Sequence, residues 1–327
     1  MANRPHVLVS DPIHPGGIAL LMEHCEVTRT THDDAAACAA ALLTADAVIV
    51  RGLRVTPALL DGAPRLRAVV KHGAGVDNIN IPAASERGIM VANTAGGANA
   101  SAVAEGAVAL MLATLRRTPE THAAVLAGRF KERWLFDLGD LTGRTLGIVG
   151  FGRIGRATAK ICAHGFGMPV LAFDPFVPAA EMAAAGVEPV ATLEDLLRRA
   201  DVVSIHTPLE PGTRHLIGRQ QLRLMKPTAI LVHTSRGGIV DEQALAEALA
   251  GAVIRGAGID VFEQEPPAPD NPLFTAPNIV LCPHMAGSTE SSHHHSATEA
   301  ARSVMAILAG EPPKGLLNGQ AWDQRRR

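Results

Sequence analysis

The chain has 327 residues and a formal net charge of −2, with 30 Lys and Arg against 32 Asp and Glu. That length suggests about two domains, and so balanced a charge gives no reason to expect nucleic acid or an anionic membrane as a partner. Hydrophobic residues make up 47% while aromatics are only 3% and tyrosine is absent, so the cores must be built from Ala, Val, Leu and Ile, which suits parallel sheets covered by helices.

No apolar run approaches the ~20 residues of a membrane-spanning helix. The N-terminus, MANRPHVLVSD, runs directly into a strand, so no signal peptide is expected. Cys25, Cys38, Cys162 and Cys282 are scattered, without a CxxC pair or metal-ligand spacing. They read as buried, reduced thiols of a cytoplasmic protein, and no metal is expected.

His6–Val9 is the first predicted strand, ended by Ser10-Asp11-Pro12. A helix from about Gly16 to His24, a strand around Val27 and an alanine-rich helix from Asp34 to Leu43 follow. Ala47–Val50, Leu66–Val70 and Ile89–Ala92 are further apolar runs of strand length. Strands alternating with helices imply a parallel, doubly wound sheet, in which ligands meet the C-terminal strand ends. Arg51 and the loop Lys71-His72-Gly73-Ala74-Gly75 lie at such ends. Gly73, Ala74 and Gly75 can form an anion nest of backbone N–H groups. Arg51 and Lys71 read equally as contacts to a second anionic group of a substrate and as ordinary surface cations. His72 reads as a substrate contact or as a residue that closes the loop.

A weakly polar helix, Ser101 to Leu115, leads to a connection, Thr118 to Leu141, that carries Phe130 and Trp134; the helix and connection are candidates for a dimer interface. The next unit has a denser signature. Leu146–Val149 is a buried strand, Gly150-Phe151-Gly152-Arg153-Ile154-Gly155 opens a helix, and Val170–Phe173 is a second strand ending on Asp174. Strand, GxGxxG, helix, strand and an acid about 20 residues on form the dinucleotide fingerprint. Gly150 permits the tight turn, Gly152 keeps a Cβ away from a pyrophosphate, and Gly155 lets helix and strand approach. The amides of Arg153 and Ile154 open the helix, where its positive dipole end favours phosphate. Asp174 can accept from a ribose diol and would repel a 2′-phosphate, and Pro175-Phe176-Val177 offers that phosphate no cation. NAD is therefore expected over NADP.

Later strands are predicted at Val202–Ile205, Ala229–Val232, Gly256–Ile259 and Ile279–Leu281, and a helix at Glu290 to Leu308. Two sheets of similar plan suggest a repeat of architecture without a repeat of sequence. The His293-His294-His295 run reads as solvated, because three consecutive residues project around a helix and cannot share one face.

With these strand ends in place, the chain resembles the D-isomer-specific 2-hydroxyacid dehydrogenases. The matching segments are KHGAGVDNI (71–79), GIVGFGRIG (147–155), HTPL (206–209), LVHTSRGGIVDE (231–242), AGIDVFEQEPP (257–267) and CPHMAGST (282–289), in the family's order. The resemblance implies a Rossmann NAD domain at 100–285, inserted into a flavodoxin-like substrate domain made of 1–99 and 286–327. It is similar to the phosphoglycerate dehydrogenase and hydroxypyruvate/glyoxylate reductase types, leaves no room for a C-terminal regulatory domain, and implies a homodimer. The family's catalytic roles fall on Arg236 (substrate carboxylate), His284 (general acid/base) and Glu265 (partner of the imidazole). A guanidinium suits a carboxylate because its fork meets two oxygens in one plane. Imidazole serves both reaction directions because its unperturbed pKa is about 6.5. Glutamate at 265 speaks against the formate-dehydrogenase branch.

The resemblance places Thr207, Pro208 and Thr213 beside the adenine ribose. Thr234 and Asp260 fall near the nicotinamide, with the acid accepting from its carboxamide, and Ser235 and Gly287 are further expected cofactor contacts. His233 stands where many relatives have asparagine. The expected function is hydride transfer between NAD and C2 of a small anionic 2-oxo or 2-hydroxy acid. A second reading is an NADH-sensing binding protein like the family's corepressors, although their extensions and peptide-binding surface are not evident.

Overall fold

The computed structural model describes residues 4–94 and 97–326. By its internal contacts the chain divides into two compact units, residues 1–99 with 289–327, and residues 100–288. The first opens with β1 (His6–Val9), α1 (Pro15–His24), β2 (Glu26–Arg29), α2 (Ala35–Leu42) and β3 (Ala47–Val50). α3 (Pro57–Asp61), β4 (Ala68–Lys71), α4 (Ile81–Glu86) and β5 (Met90–Asn93) complete the series.

The strands pair in parallel in the order β2-β1-β3-β4-β5, the flavodoxin-like arrangement. β4 and β5 each run one residue further toward the C-terminus than their apolar runs suggest. Val50 pairs with Lys71 and Lys71 with Asn93, so the ladder continues into polar residues and not merely to the last buried one. The short helices α3 and α4 escaped the sequence reading, although each carries a start signal. Thr56 and Asn80 accept from the amides of Leu59 and Ala83, and a proline follows each within two residues.

In the second unit α5 (Gly97–Arg116) and α6 (Thr118–Leu126) precede β6 (Leu146–Val149), α7 (Arg153–Phe166) and β7 (Val170–Phe173). α8 (Ala179–Ala184), β8 (Glu188–Pro189), α9 (Leu193–Arg199), β9 (Val202–Ile205) and α10 (Arg219–Leu222) follow. The series ends with β10 (Ile230–His233), α11 (Glu242–Ala250), β11 (Gly256–Ile259) and β12 (Ile279–Leu281), before α12 (Glu290–Ala309) returns to the first unit.

The second sheet is also wholly parallel, in the order β12-β11-β10-β9-β6-β7-β8. Strand order reverses between β6 and β9, the point at which open α/β sheets take ligands. β8, which the apolar pattern did not reveal, contains a proline and sits at the edge, where a missing N–H costs no ladder bond. Alternation along β10 sends Ile230 and Val232 into one core with α7, and Leu231 into another with α9 and α11. The fold class is thus the expected one, two doubly wound α/β units. Among the described residues, no helix is long and apolar enough to cross a membrane.

α12 packs on α1 and on β3 and β4, and Trp322, beyond it, joins the same core. A Cβ on Gly17 would lie 2.5 Å from the carbonyl oxygen of Ala297, so α1 and α12 meet nearly backbone to backbone. Gly17→Ala should therefore destabilise the first unit by about 1–3 kcal/mol through overpacking. A lower denaturant midpoint at unchanged slope checks this; an unchanged midpoint contradicts it.

Candidate active site

The glycine turn after β6 shows three separate reasons for glycine. Gly150 has φ +93°, and a Cβ on it would meet the backbone of His206 and Thr207 at 2.8–2.9 Å, directly at the strand-order reversal. A Cβ on Gly155 would lie 2.2 Å from the carbonyl of Gly150, so α7 packs against the turn itself. A Cβ on Gly152 would meet nothing within 4 Å. That open approach to the start of α7, where Arg153 and Ile154 are the first helical residues, is the cradle a pyrophosphate requires. Asp174 accepts the amide of Phe151 through Oδ2 (2.8 Å) and that of Phe176 through Oδ1 (2.9 Å). It thereby ties the end of β7 to the glycine turn, and each carboxylate oxygen retains a lone pair for a ribose hydroxyl. These features fit a dinucleotide.

Arg236, Glu265 and His284 follow β10, β11 and β12, which are neighbours in the sheet, so their loops emerge side by side. His284 Nδ1 lies 2.8 Å and 3.0 Å from the two carboxylate oxygens of Glu265. Nδ1 must be the donor, which leaves Nε2 for another partner. Burial alone would raise the pKa of Glu265, but the bond to His284 and the nearby charges of His284 and Arg236 bring it below the usual carboxylate value. The positive charge of Arg236 is thus felt at the pair.

His284 has φ +55°, a left-handed backbone that is costly for a non-glycine residue. Asp260, 1% exposed, holds it there. Its Oδ1 and Oδ2 accept the amides of Met285 and Ala286, both at 2.8 Å, and its carbonyl accepts the amide of His284 at 2.7 Å. Expected to accept from the nicotinamide carboxamide, this acid also holds the loop that carries His284 and Gly287, with one amide on each oxygen and a lone pair left on each. Burial raises the Asp260 pKa despite those two amides. Glu265 is braced in turn. The amide of Phe262 donates to it, and Glu242 accepts from Glu263 N and Asn271 Nδ2 in the same loop.

Other expected contacts prove partly committed within the protein. Ser235 Oγ donates to the carbonyl of Ile205 (2.6 Å), so it ties this turn to the end of β9. Thr213 Oγ1 donates to the carbonyl of Pro208 and accepts the amide of Glu210, so it closes the turn that follows Thr207. Thr234 is buried, and its Oγ1 has no partner among the described residues.

The first unit gathers the remaining candidates at the C-terminal edge of its sheet. Buried Asp11 accepts the amides of Arg51 and Gly52 through Oδ2, which fixes the turn after β3. Lys71 Nζ donates to the carbonyl of Arg51 (2.6 Å) and to Asn78 Oδ1 (2.7 Å), so it braces this turn. The Gly73 amide donates to Thr94 Oγ1, and Gly73 itself has φ +123°; Ala74 and Gly75 continue the loop. His72 is 6% exposed, has no partner for Nε2 among the described residues, and stacks on His293 at 6.1 Å between ring centroids. His293 is therefore not simply solvated, as the sequence reading has it. His294 turns instead to the ring of His14, edge-on at 4.8 Å. The pattern of one helix could not reveal these partners, because they come from the loop after β4 and from the residue that caps α1.

A parallel sheet with this strand order, its glycine turn at the reversal point and an acid ending the second strand define a dinucleotide-binding protein. The family described as D-isomer specific 2-hydroxyacid dehydrogenase, NAD binding domain, matches residues 108–286. The D-3-phosphoglycerate dehydrogenase of Methanocaldococcus jannaschii is 41% identical over 313 residues, 95% of this chain and 59% of that one. The glyoxylate reductase of Korarchaeum cryptofilum is 41% identical over 323 residues, covering 96% of both chains. The solved structure of an NADPH-dependent glyoxylate/hydroxypyruvate reductase from Sinorhizobium meliloti, with NADP and malonate, superposes with a TM-score of 0.84 at 30% identity, covering 99% of both chains. This chain belongs to the D-isomer-specific 2-hydroxyacid dehydrogenase family, and it spans little more than half the length of the phosphoglycerate dehydrogenase it matches.

Three histidines at these strand ends are held neutral. Burial brings His72 to about 4, assisted by the charges of Arg51 and His293. Burial brings His206 to about 3, with His233 adding to it. His233 is brought to about 4, again chiefly by burial. In the unfolded chain each titrates near 6.5. Between that value and the native one, the unfolded state binds protons that the native state does not, so stability is fully present above pH 6.5 and is lost as pH falls toward 4. Melting temperature should therefore begin to drop below about pH 6.5, ahead of the carboxylate range; a flat profile between pH 7 and 5 would contradict the assignment.

Proposed function

We propose that the protein is an NAD-dependent oxidoreductase that moves hydride between nicotinamide and C2 of a 2-oxo or 2-hydroxy acid, of the phosphoglycerate dehydrogenase or glyoxylate reductase type. The observation that carries this reading is the His284–Glu265 pair, bonded at 2.8 Å with the charge of Arg236 acting on it. The cofactor, when bound, supplies or takes up the hydride. Everything else falls to side chains. Arg236 grips the substrate carboxylate and polarises the 2-oxo group. In reduction His284 Nε2 gives its proton to the oxygen on C2 as hydride reaches the carbon; in oxidation Nε2 takes that proton back. Glu265 keeps the Nδ1 proton, orients the ring and stabilises the imidazolium form.

Asp174 and the absence of a cation at residues 175–177 support NAD over NADP. The Sinorhizobium relative is NADPH-dependent, so comparing kcat/KM for the two cofactors tests this point directly. For the substrate, Arg51 is the better candidate contact to a second anionic group, since the Lys71 ammonium is already bonded to Asn78 and to the Arg51 carbonyl. A homodimer is part of the proposal. Phe130, Trp134 and Leu135 are 62%, 80% and 78% exposed and lie together on one short 3₁₀ segment, an apolar surface that a second copy would cover. Light scattering of wild type against Trp134→Glu tests it.

His284→Ala should abolish turnover while NADH affinity stays nearly unchanged; loss of NADH binding would count against the assignment. Glu265→Gln should move the fall-off of the reductive rate to lower pH, because the carboxylate that stabilises imidazolium is gone. A panel of 3-phosphohydroxypyruvate, hydroxypyruvate, glyoxylate and larger 2-oxo acids, each tested for NADH oxidation, identifies the substrate. Turnover of none would overturn the enzymatic reading.

A further inference from the structure

We infer that His233 is a positioning residue for Arg236, holding the main chain from which the guanidinium departs. The inference rests on the reading of Arg236 as the carboxylate-binding residue.

His233 is the last residue of β10 and is 2% exposed. It pairs with Ile205 on one side and Ile259 on the other, so its backbone is locked in the middle of the sheet. From there its ring reaches forward under the turn, and Nε2 lies 2.8 Å from the carbonyl oxygen of Arg236. A carbonyl only accepts, so Nε2 carries the hydrogen. Nδ1 finds no partner among the described residues. Neutrality suits the place, since a second positive charge here would oppose the imidazolium form of His284, whose charge already acts on His233.

The rest of the turn is tied through other residues. Ser235 Oγ holds it to the end of β9. A Cβ on Gly237 would fall 1.7 Å from the carbonyl of Phe262, so the turn also presses against the loop that leads to Glu265. Gly238 takes a left-handed φ of +84°. The His233 bond acts on the carbonyl of Arg236 itself and so orients the peptide plane that follows it; the plane on each side of a Cα directs its side chain. The Arg236 guanidinium also donates to the Ser235 carbonyl at 2.8 Å, so the base of the fork is held against its own turn. The donor must reach as far as an imidazole Nε2, and a glutamine amide has that reach.

The test compares His233→Gln with His233→Met, two unbranched side chains of like length that differ in whether they can donate. NADH affinity and melting temperature are measured alongside KM and kcat for the best 2-oxo acid of the panel. The methionine variant should raise KM for the acid roughly tenfold or more and lower kcat less, because a small misplacement of a clamp is felt first in how the acid is gripped. Its NADH affinity should stay unchanged, and the glutamine variant should restore KM to near the wild-type value. If the methionine chain fails to bind NADH, His233→Leu takes its place in the comparison. A methionine or leucine variant with wild-type KM, or a glutamine variant as impaired as they are, overturns the inference. Arg236→Lys, run in parallel, separates the two claims. If it leaves KM unchanged, the carboxylate reading itself fails; if it raises KM while the donor-less variant does not, only the positioning role falls.

Discussion

The loop carrying His284 hangs from one buried carboxylate. Asp260 gives both oxygens to the amides of Met285 and Ala286 and its carbonyl to the amide of His284. Three bonds to one residue hold a left-handed histidine that would relax to a commoner conformation if released. Such strain persists only where neighbouring structure over-determines it, and here the neighbour is the end of the adjacent strand. Once the His284 backbone is set, the ring needs only one further partner, and Glu265 supplies it from the loop beyond the same strand. Two successive constraints, both rooted in the residues that follow β11, therefore fix the backbone and the ring of His284.

The same logic governs the other strand ends. Each functional loop is bonded to a neighbouring strand end or loop: Ser235 to β9, Asp174 to the turn after β6, and the Arg51 turn to Asp11 after β1. A parallel sheet makes this economical, because every strand ends on the same edge and adjacent loops can brace one another. The glycines complete the arrangement where a brace is a backbone contact. Gly150 and Gly237 lie against neighbouring main chain, with no room for a Cβ.

Much of this was legible in the sequence wherever function depends on local chemistry. The glycine turn, the acid that ends β7 and the order of the strand-end motifs are all local, and they are enough to name the fold class and the family. What the sequence could not display is which polar atoms are already occupied. Asp260, Ser235 and Lys71 look like ligand contacts when read in one dimension, and only the neighbouring strands reveal that their side chains hold loops. The histidine run at the start of α12 failed for the same reason. Its helical spacing argues that the rings point apart, as His293 and His294 do, yet each meets a ring from another element. Strand ends shifted because pairing, and not apolarity, decides where a ladder stops.

The absence of tyrosine has a practical side. The chain contains two tryptophans, and the fold assigns them to different units. Trp134 stands 80% exposed on the 3₁₀ segment of the second unit, while Trp322 packs against the core of the first under the guanidinium of Arg325. In the lone chain, intrinsic emission therefore carries two signals of different colour, a red-shifted one from exposed Trp134 and a bluer one from half-buried Trp322, and covering of Trp134 by a second copy would move its signal to the blue. With no tyrosine to feed either of them, replacing one tryptophan by phenylalanine leaves a clean optical reporter of the other unit.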